Sequence, residues 1–467
     1  MKYSLLVFIC IAFLSGKVHA QDHSVKMNGT LRVSKINPRY FTNNSGQAIY
    51  LTGSHTWNNL VDMSPKDAPE KFDFPGYLQW LKKYHHNFIR LWNWELLNWN
   101  TSANREKEPK NLTVVPHPWL RTGPGVALDG KPKFNLDRFD PAFFKRLKKR
   151  VKMAEKENIY VSIMLFEGWG LQFSPNAFKN HPFHPDNNIN GINGDANGDG
   201  RGVEIHTLAN REITRIQENY VKKVLRTLKG FDNVLYEIGN EMQASSTEWQ
   251  YHMIAFIKDY EKTLPKQHPV GMTFQHRGGS NSTLFNSRAD WISPNPQGGY
   301  RDNPPPGKGD KVIITDTDHL WGIGGNQAWV WKSFLSGLNP IFMDSYKCKI
   351  LVRKCDSDWA EPIRKSMGYT LLFARRMDLI HMKPEPGLVS SGYCLSNKAK
   401  EYLVYLPEEK KVEVDLTEAG GLYQEEWFNP DNGETVKTEV MVKDEKNTFI
   451  SPFNNAGTVL YLKKDGK

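Results

Sequence analysis

Short apolar runs alternate with longer amphipathic stretches along residues 48–379. The short runs are rich in β-branched and aromatic residues, which predicts buried strands, and the longer ones repeat apolar residues every three or four positions, which predicts helices. The predicted strands are 48–57, 88–95, 160–169, 234–241, 269–276, 290–297, 312–319 and 340–346. The predicted helices are 75–86, 140–158, 214–231, 247–264, 327–336 and 361–379, and the connection at 278–286 has room for only a turn or two. Eight βα units predict a (β/α)8 or TIM barrel, an α/β fold.

The pattern changes after residue 382. Short alternating strands are predicted at 401–406, 412–416, 424–429 and 458–463, separated by turns rich in Gly, Asn and Pro. The turn from Asn429 to Gly433 indicates a hairpin. We therefore expect a barrel over residues 21–382, followed by a small all-β sandwich over residues 383–467 that is more typical of a stabilising module than of a ligand receptor.

The first 20 residues have the features of a secretory signal peptide. Lys2 gives a positively charged start, residues 5–14 form an apolar segment too short to span a membrane, and Ala20 is a small residue suited to cleavage before Gln21. We therefore expect a secreted or periplasmic protein.

Composition narrows the class of protein. The chain is 39% hydrophobic and 24% charged, which excludes a disordered chain and a membrane core, and no segment after residue 20 is apolar enough to span a bilayer. The net charge of +10 is spread over the predicted helices, which favours a solvated surface over nucleic-acid binding. In an oxidising compartment Cys348 and Cys355 are the locally plausible disulfide, and Cys394 is expected to be a buried thiol.

Aromatic and polar residues recur where the predicted strands end. Fourteen Trp and 18 Tyr are numerous enough to provide flat platforms for a ligand as well as a core. The active site of a TIM barrel lies at the C-terminal ends of its strands, and cleavage of a glycosidic bond there requires two carboxyl groups and partners for hydroxyls. The candidate substrate-binding residues at these ends are His55, Trp57, Arg90, Trp92, Glu95, Glu167, Trp169, Asn240, His276, His319, Trp321, Asp344 and Tyr346.

The segment Leu235-Tyr236-Glu237-Ile238-Gly239-Asn240-Glu241 carries a resemblance. An Asn-Glu pair closing the fourth barrel strand, with Arg90 closing the second, resembles the clan A, cellulase-like glycoside hydrolases over residues 30–382. The resemblance implies that Glu241 is the general acid/base and that Asn240 holds a substrate hydroxyl. The overall layout also resembles apiosidase-like barrels and the collagen-binding-like C-terminal domains that accompany them in secreted bacterial hydrolases.

The second carboxylate departs from that family. The family closes its seventh strand with a Glu nucleophile, but this chain has no Glu between Glu261 and Glu361. We therefore expect Asp316 to be the nucleophile of a retaining enzyme and to raise the pKa of Glu241 by its charge, with Asp318 as the alternative. Because Asp is one methylene shorter than Glu, a wider carboxyl gap would admit water and favour inversion, so the stereochemistry stays open.

Two other functions compete with hydrolysis by this pair. One is a non-catalytic carbohydrate- or matrix-binding protein on a degenerate barrel. The other, less favoured, is a metal-dependent hydrolase that uses His55, Asp316, Asp318 and His319. We expect no metal and no cofactor, and an oligo- or polysaccharide partner; the sugar, endo or exo action and the oligomeric state stay open.

The segment 193–200 resembles the start of a calcium-binding loop, with oxygen ligands at alternate positions. Counted from Asp195, however, the twelfth position is His206 where a Glu is needed, and Glu204 is out of register. The pattern therefore favours a turn in the long loop 176–207 over a calcium site.

Overall fold

The computed structural model describes residues 14–17, 27–352 and 357–465. It divides into two compact units, residues 23–380 and residues 381–467, the latter together with the N-terminal stretch that includes Leu14–Lys17. Apart from Leu14–Lys17, the predicted signal peptide lies outside the described residues. In the described part of the chain, no helix combines the length and hydrophobicity needed to cross a bilayer.

The first unit contains the predicted barrel. Its eight strands pair in parallel in the order β1-β8-β7-β6-β5-β4-β3-β2, which confirms the fold class. Every observed strand lies within its predicted segment or begins one residue before it. The strands are β1 (Gly53–His55), β2 (Phe88–Leu91), β3 (Tyr160–Glu167), β4 (Val234–Asn240), β5 (Val270–Thr273), β6 (Trp291–Ser293), β7 (Val312–Asp316) and β8 (Asn339–Met343).

The seam between β1 and β2 is closed by a few polar contacts instead of a ladder. Asn87 N donates to Thr52 O at 3.0 Å, and Thr52 N donates to the Asn87 side chain at 2.9 Å. A Cβ at Gly53 would lie 2.3 Å from the carbonyl oxygen of Phe88, so the two strands approach as closely as they do only because residue 53 is Gly.

The N-terminal end of the barrel is closed by an apolar cluster. A small antiparallel sheet of Arg32–Val33, Phe41–Thr42 and Ala48–Ile49 lies there, and its Phe41 and Ile49 pack with apolar side chains near the starts of the barrel strands. The predicted strand 48–57 therefore splits between this sheet and β1. This cluster fills the N-terminal end of the barrel, and the site of a TIM barrel is expected at the opposite, C-terminal ends of the strands.

The helices follow the predicted pattern, and a side chain caps the start of six of them. In α4 the buried residues recur every three or four positions, and Asn210 accepts from the first-turn amides of Glu212 and Ile213. As predicted, the helix after β5 has fewer than two turns. The helices are α1 (Phe74–Lys83), α2 (Pro141–Lys156), α3 (Trp169–Phe173), α4 (Arg211–Leu228), α5 (Thr247–Glu261), α6 (Asn281–Asn286), α7 (Thr317–Trp321), α8 (Gln327–Leu335) and α9 (Ser357–Arg376).

The segments after β1 and β2 carry additional strands. A small antiparallel sheet contains Asp62–Ser64, Asn98–Asn100 and Asn111–Val115, and a hairpin pairs Trp119–Val126 with Pro132–Phe139. Short 3₁₀ turns of the described chain lie at Thr101–Asn104, Phe178–Asn180, Val203–His206, Ala244–Ser246, Tyr346–Cys348, Leu379–His381 and Pro386–Leu388.

The second unit is all-β, as predicted. Its larger antiparallel sheet has the order Leu14–Lys17, β14, β13, β16, β11, β10, β9, and β12 pairs with β15 in a second sheet. Val412 and Phe449 of the second sheet share one core with Trp427 and Leu460 of the first, so the two sheets form a sandwich. The strands are β9 (Lys383–Pro384), β10 (Cys394–Asn397), β11 (Glu401–Leu406), β12 (Lys411–Asp415), β13 (Gly421–Asn429), β14 (Glu434–Val442), β15 (Lys446–Ile450) and β16 (Thr458–Lys464).

The cysteines have two different environments. Cys348 is disulfide-bonded, and its predicted partner Cys355 lies outside the described residues. Cys394 is a buried free thiol in the sandwich, and burial raises its pKa far above the usual range.

Candidate active site

A buried guanidinium organises the centre of the barrel. Arg90, 1% exposed at the end of β2, donates through Nε and Nη2 to Glu237, and through Nη1 to Asp316 Oδ2 at 2.8 Å. Both carboxylates are fully buried. Buried charges are tolerated away from water only when paired and hydrogen-bonded, and Arg90 supplies this pairing to Glu237 and to Asp316.

Asp316 is fixed from several sides. The Trp92 indole donates to His55 Nδ1 at 3.0 Å, which leaves His55 Nε2 to donate to Asp316 at 2.9 Å. Asp318 N also donates to Asp316 Oδ1 at 2.9 Å, so Asp316 caps α7. Burial alone would raise the pKa of Asp316, but His55 and Arg90 hold it well below its usual range. Asp316 is therefore an ionised structural group beneath the barrel mouth.

The amide of Asn240 has a defined orientation. Its Oδ1 accepts from Arg90 Nη2 at 2.7 Å and from His319 Nε2 at 3.1 Å, while His319 Nδ1 lies 2.7 Å from Ser293 Oγ. Burial lowers the pKa of His319 to about 3, so the ring is neutral and Ser293 donates to its Nδ1. Because Oδ1 already accepts two hydrogen bonds, Asn240 offers its Nδ2 donor to a ligand.

Above this layer lies a cavity of about 520 Å³. It opens at the C-terminal ends of the strands, where the site of a TIM barrel is expected. Three of its lining residues are carboxylic acids, and six are tryptophans. The lining residues used below are Trp57, Trp92, Trp94, Trp99, Arg105, Glu167, Trp169, Asn240, Glu241, His276, Arg301, Asp318, His319 and Trp321.

Glu241 follows directly after β4 with a left-handed backbone, φ 45°. That conformation is strained for a residue other than Gly and persists where the surroundings fix it. The side chain of Gln172 supplies such a contact, because its Nε2 donates to Glu241 O at 2.8 Å and to Gly168 O at 2.9 Å. Burial, Asp318 and Glu167 raise the pKa of Glu241 well above its usual range, which favours the protonated form of its carboxyl.

Asp318, unlike Asp316, lines the cavity. Its Oδ2 lies 3.6 Å from Arg90 Nη1, beyond hydrogen-bond distance, and has no hydrogen-bond partner in the described chain. Burial and the negative charge of Asp316 raise the pKa of Asp318 to about 8. The carboxyl is therefore available to a ligand in a way that Asp316 is not.

Glu167 is the third cavity acid, and Glu95 lies behind it. Burial and then the charge of Glu95 raise the pKa of Glu167 to about 8, although Gly170 N donates to its carboxyl. Burial opposes the charge of Glu95, but His206 and His181 outweigh it and lower its pKa to about 2. Glu95 accepts from His206 at 2.9 Å and from Glu167 N at 2.9 Å, which fixes the end of β3.

Tryptophans form one wall of the cavity. Trp94 stacks on Trp92 with ring centroids 5.8 Å apart, and on Trp99 at 4.5 Å. These rings are buried, whereas Trp169 and Trp321 are half-buried and present accessible faces. Two flat, accessible rings beside carboxyl groups suit a sugar ring, whose C–H faces pack on indoles.

Comparisons with known proteins describe the fold. Two family models match parts of the chain: a domain of unknown function, DUF6298, over residues 113–277, and the "Putative collagen-binding domain of a collagenase" over residues 389–462. No curated protein sequence matches the chain.

Solved structures match almost the whole chain. A glycoside hydrolase family 5 protein from Bacteroides vulgatus is 13% identical, with a TM-score of 0.60 and 94% of each chain covered. A second structure, described as a glycoside hydrolase, is also 13% identical, with a TM-score of 0.59 and 94% of this chain and 98% of that chain covered. The chain has the fold of the clan A, family 5 glycoside hydrolases. At this identity the likeness is one of fold.

Within this glycosidase fold, the predicted site residues separate into layers. Those that line the cavity are Trp57, Trp92, Glu167, Trp169, Asn240, Glu241, His276, Asp318, His319 and Trp321. His55, Arg90, Glu95 and Asp316 lie behind them and bond to the lining residues or to each other.

Asp344 and Tyr346 do not belong to the site. The chain turns away after β8, and both carboxylate oxygens of Asp344 accept from Arg364 of α9 at 2.7 Å. Tyr346 packs on Tyr77 and Trp80, with ring centroids 5.0 Å away in each case. The bidentate pair and the aromatic cluster hold these two side chains away from the cavity, so neither of these predicted substrate-binding residues lines it.

Sequence reasoning missed several cavity and support residues. Trp94 and Trp99 lie in the segment after β2, Arg105 and Arg301 come from long loops, and Gln172 supports the backbone of Glu241. The Trp-x-Trp spacing at residues 92 and 94 was a visible signal. The other contacts join distant segments of the chain and have no local pattern.

In the loop after β3, Glu204 lies close to Asp195 and Asp199, although its sequence position does not fit the spacing of a calcium-binding loop. Ligand atoms of Asp195, Asp199 and Glu204 lie within 4.8 Å of one another, and Asn197 donates to Glu204 at 2.8 Å. In the described part of the chain these are the residues grouped closely enough to hold a cation. They do not line the tryptophan-walled cavity.

Proposed function

We propose that the protein is a glycoside hydrolase that uses Glu241 as general acid/base and Asp318 as the second carboxylate. The observation that carries the proposal is that these two carboxyls line one cavity with half-buried tryptophans and the Asn240 amide. The family 5 glycoside hydrolase of the same fold supports the reaction class. An oligo- or polysaccharide is the expected substrate.

Glu241 suits the acid role because burial and its acidic neighbours raise its pKa and so favour the protonated carboxyl. A protonated carboxyl can donate to the oxygen of the leaving sugar, and the same group can later remove a proton from water. The Nδ2 of Asn240, on the residue before it, is oriented to donate to a hydroxyl beside the reacting carbon.

Asp318 takes the role that the sequence suggested first for Asp316. Asp316 is enclosed by Arg90, His55 and the Asp318 amide, so a sugar carbon has no access to its oxygens. Arg90, 3.6 Å from Asp318 Oδ2, favours negative charge on Asp318 when the pair with Glu241 carries a single charge. Asp318 is then the base or nucleophile, and Glu241 retains the proton.

A glycan screen with two variants tests this assignment. The wild type is expected to cleave at least one plant, host or bacterial glycan, and Glu241→Gln to lose this activity. Glu241→Gln should spare an aryl glycoside whose leaving group needs no proton. Glu248→Gln, an exposed carboxyl on α5, is the matched control. Tight glycan binding without cleavage by the wild type would instead favour the non-catalytic binding protein.

The stereochemistry can be measured on the same substrate. We propose retention, in which Asp318 forms a covalent glycosyl intermediate that water then hydrolyses with Glu241 as base. Proton NMR of the first product distinguishes the outcomes, because a retaining enzyme releases the anomer of the substrate. Release of the opposite anomer would make Asp318 the base that activates water.

We further propose that residues 1–20 are removed on secretion and that the mature chain consists of a barrel, residues 21–382, and a sandwich, residues 383–467. The positively charged start and short apolar segment support cleavage before Gln21. Mass spectrometry of the protein from the periplasm or medium should give a chain that begins at Gln21; an intact Met1 would contradict the proposal.

A further inference from the structure

Two arginines line the cavity without buried carboxylate partners. Arg105 lies in the loop after β2, and Arg301 lies in the loop after β6. Because β2 and β6 are four strands apart in a ring of eight, the two residues come from opposite sides of the barrel mouth. Both side chains belong to exposed residues and are reachable by a ligand.

The two guanidinium groups are weakly engaged by the protein. Arg105 ends the Thr101–Asn104 turn in a left-handed conformation, and its side chain is exposed. Arg301 contacts Asp302, the next residue, at 3.3 Å. That pair is exposed on both sides and adds little free energy, so it does not compete strongly with a ligand.

The other charges at the cavity do not cancel these two. Arg90 is neutralised by Glu237 and Asp316 beneath the cavity. The cavity acids Glu241 and Asp318 have raised pKa values, and so has Glu167, because each is buried. The cavity therefore presents two accessible positive charges on opposite walls, while burial disfavours the charged forms of its three carboxyls.

We propose that the cavity takes an acidic glycan, in which carboxylate or sulfate groups on either side of the cleaved bond are bound by Arg105 and Arg301. This inference rests on the proposed hydrolase function and names its substrate class. A guanidinium matches a carboxylate or sulfate because its N–H groups form paired, charge-assisted hydrogen bonds with two oxygens. An uncharged polysaccharide would leave both arginines without such partners.

Binding to matched oligosaccharides tests the proposal. Calorimetry on the Glu241→Gln full-length protein would compare oligogalacturonates with their methyl esters, which have nearly the same shape but no charge. A second arm would compare chondroitin oligosaccharides with and without sulfate. At least one acidic ligand should bind about tenfold more tightly than its neutral or less charged form, and its affinity should fall with added salt.

Arginine variants locate the effect. Arg105→Gln and Arg301→Gln should each weaken binding of the acidic ligand about tenfold and leave the neutral ester unaffected. Arg211→Gln removes the same charge from the exposed start of α4, away from the cavity, and should leave the affinity unchanged. A preference confined to the sulfated arm would assign both arginines to sulfate, and one confined to the uronate arm to carboxylate.

Two results would overturn the inference. One is that no acidic oligosaccharide binds more tightly than its uncharged counterpart; the other is that Arg211→Gln lowers affinity as much as the cavity variants do. Cleavage of a neutral glycan that depends on Glu241, together with either result, would leave the proposed hydrolase intact. If the wild type bound acidic glycans selectively but cleaved none of them, the acidic-glycan site would stand and the proposed hydrolase function would be contradicted.

Discussion

Asp316 and Asp318 are two residues apart, yet the structure gives them opposite properties. Asp316 ends β7 and is surrounded by donors, so it is held ionised below the cavity. Asp318, in the first turn of α7, lines the cavity with one oxygen that has no hydrogen-bond partner in the described chain, and its pKa is raised to about 8. Pairing, rather than burial alone, separates a structural carboxylate from one available for chemistry.

The largest expected effect is the loss of activity when Asp318, the aspartate that lines the cavity, is replaced. Asp318→Asn should lower kcat/KM by about 10³- to 10⁴-fold, because the reaction loses its base or nucleophile. The same variant should fold normally, since the replaced carboxyl has no strong partner. Steady-state kinetics with thermal unfolding measures both effects. Full activity in Asp318→Asn would contradict the assignment of Asp318 as the second carboxylate.

Replacing Asp316, the carboxylate that is paired with Arg90 and His55, should lower the free energy of unfolding. Asp316→Asn leaves Arg90 with one buried carboxylate instead of two and weakens the acceptor for His55. Breaking a buried ion pair by removing one partner typically costs about 3–5 kcal/mol. Urea denaturation monitored in the barrel should give a loss of this size, with Asp318→Asn as the matched control. Equal stability of the two variants would mean that Asp316 is no more important to the fold than Asp318.

The dependence of stability on pH sharpens the same contrast. The pKa of Asp318 is about 8 in the folded chain and about 4 when unfolded, so the folded chain holds an extra proton between these values. Its contribution to stability is therefore present below about pH 4 and lost as the pH rises towards about 8. Asp316, with a lowered pKa, contributes in the opposite direction: its stabilisation is present above about pH 4 and is lost in acid.

Asp318→Asn should flatten the loss of stability between about pH 4 and 8, by up to about 1.4 kcal/mol per pH unit. Denaturation at several pH values measures this slope. Glu248→Gln, which changes an exposed carboxyl on α5, should leave it unaltered. An Asp318→Asn slope equal to that of the wild type would mean that Asp318 titrates normally.

The contrast within this pair also shows how far sequence patterns reach. The strand periodicity and the Asn240-Glu241 pair were sufficient for the barrel and for one cavity acid, because both depend on local order along β4. The pattern at 312–319 placed Asp316 and Asp318 on one strand face, but the strand ends at Asp316 and a helix begins. An Asp followed by an acidic residue at the second helical position is an N-cap signal that could have located this change.

Other features could not be predicted locally. Asp344 ends its strand as a catalytic residue would, but Arg364 of α9 turns its carboxylate away from the cavity. Gln172 reaches the carbonyl of Glu241 across 69 positions of sequence. Such contacts follow from the packing of whole βα units, so no short pattern contains them.

Trp169 and Trp92 differ in solvent exposure, as Asp318 and Asp316 differ in pairing. Trp169 is half-buried at the cavity, so Trp169→Ala should weaken glycan binding about tenfold with little change in stability. Trp92 is 2% exposed and donates to His55, so Trp92→Ala should destabilise the barrel by about 3–5 kcal/mol. Calorimetry and denaturation on both variants check this. If Trp169→Ala lowered stability without weakening glycan binding, Trp169 would not be a platform for the sugar.

The smallest expected effect lies at the support of Glu241. Gln172→Met keeps the length of the side chain but loses the hydrogen bonds to Glu241 O and Gly168 O, which help to hold the left-handed backbone at Glu241. Because the carboxyl would then sample several positions, we expect kcat to fall about tenfold with KM nearly constant, a cost of about 1.4 kcal/mol in the transition state. The aryl glycoside that needs no proton from Glu241 separates positioning from general damage: it should lose less rate in the first step than the natural substrate does. Equal losses on both substrates, or a parallel fall in the unfolding temperature, would mean that Gln172 supports the fold and not the acid.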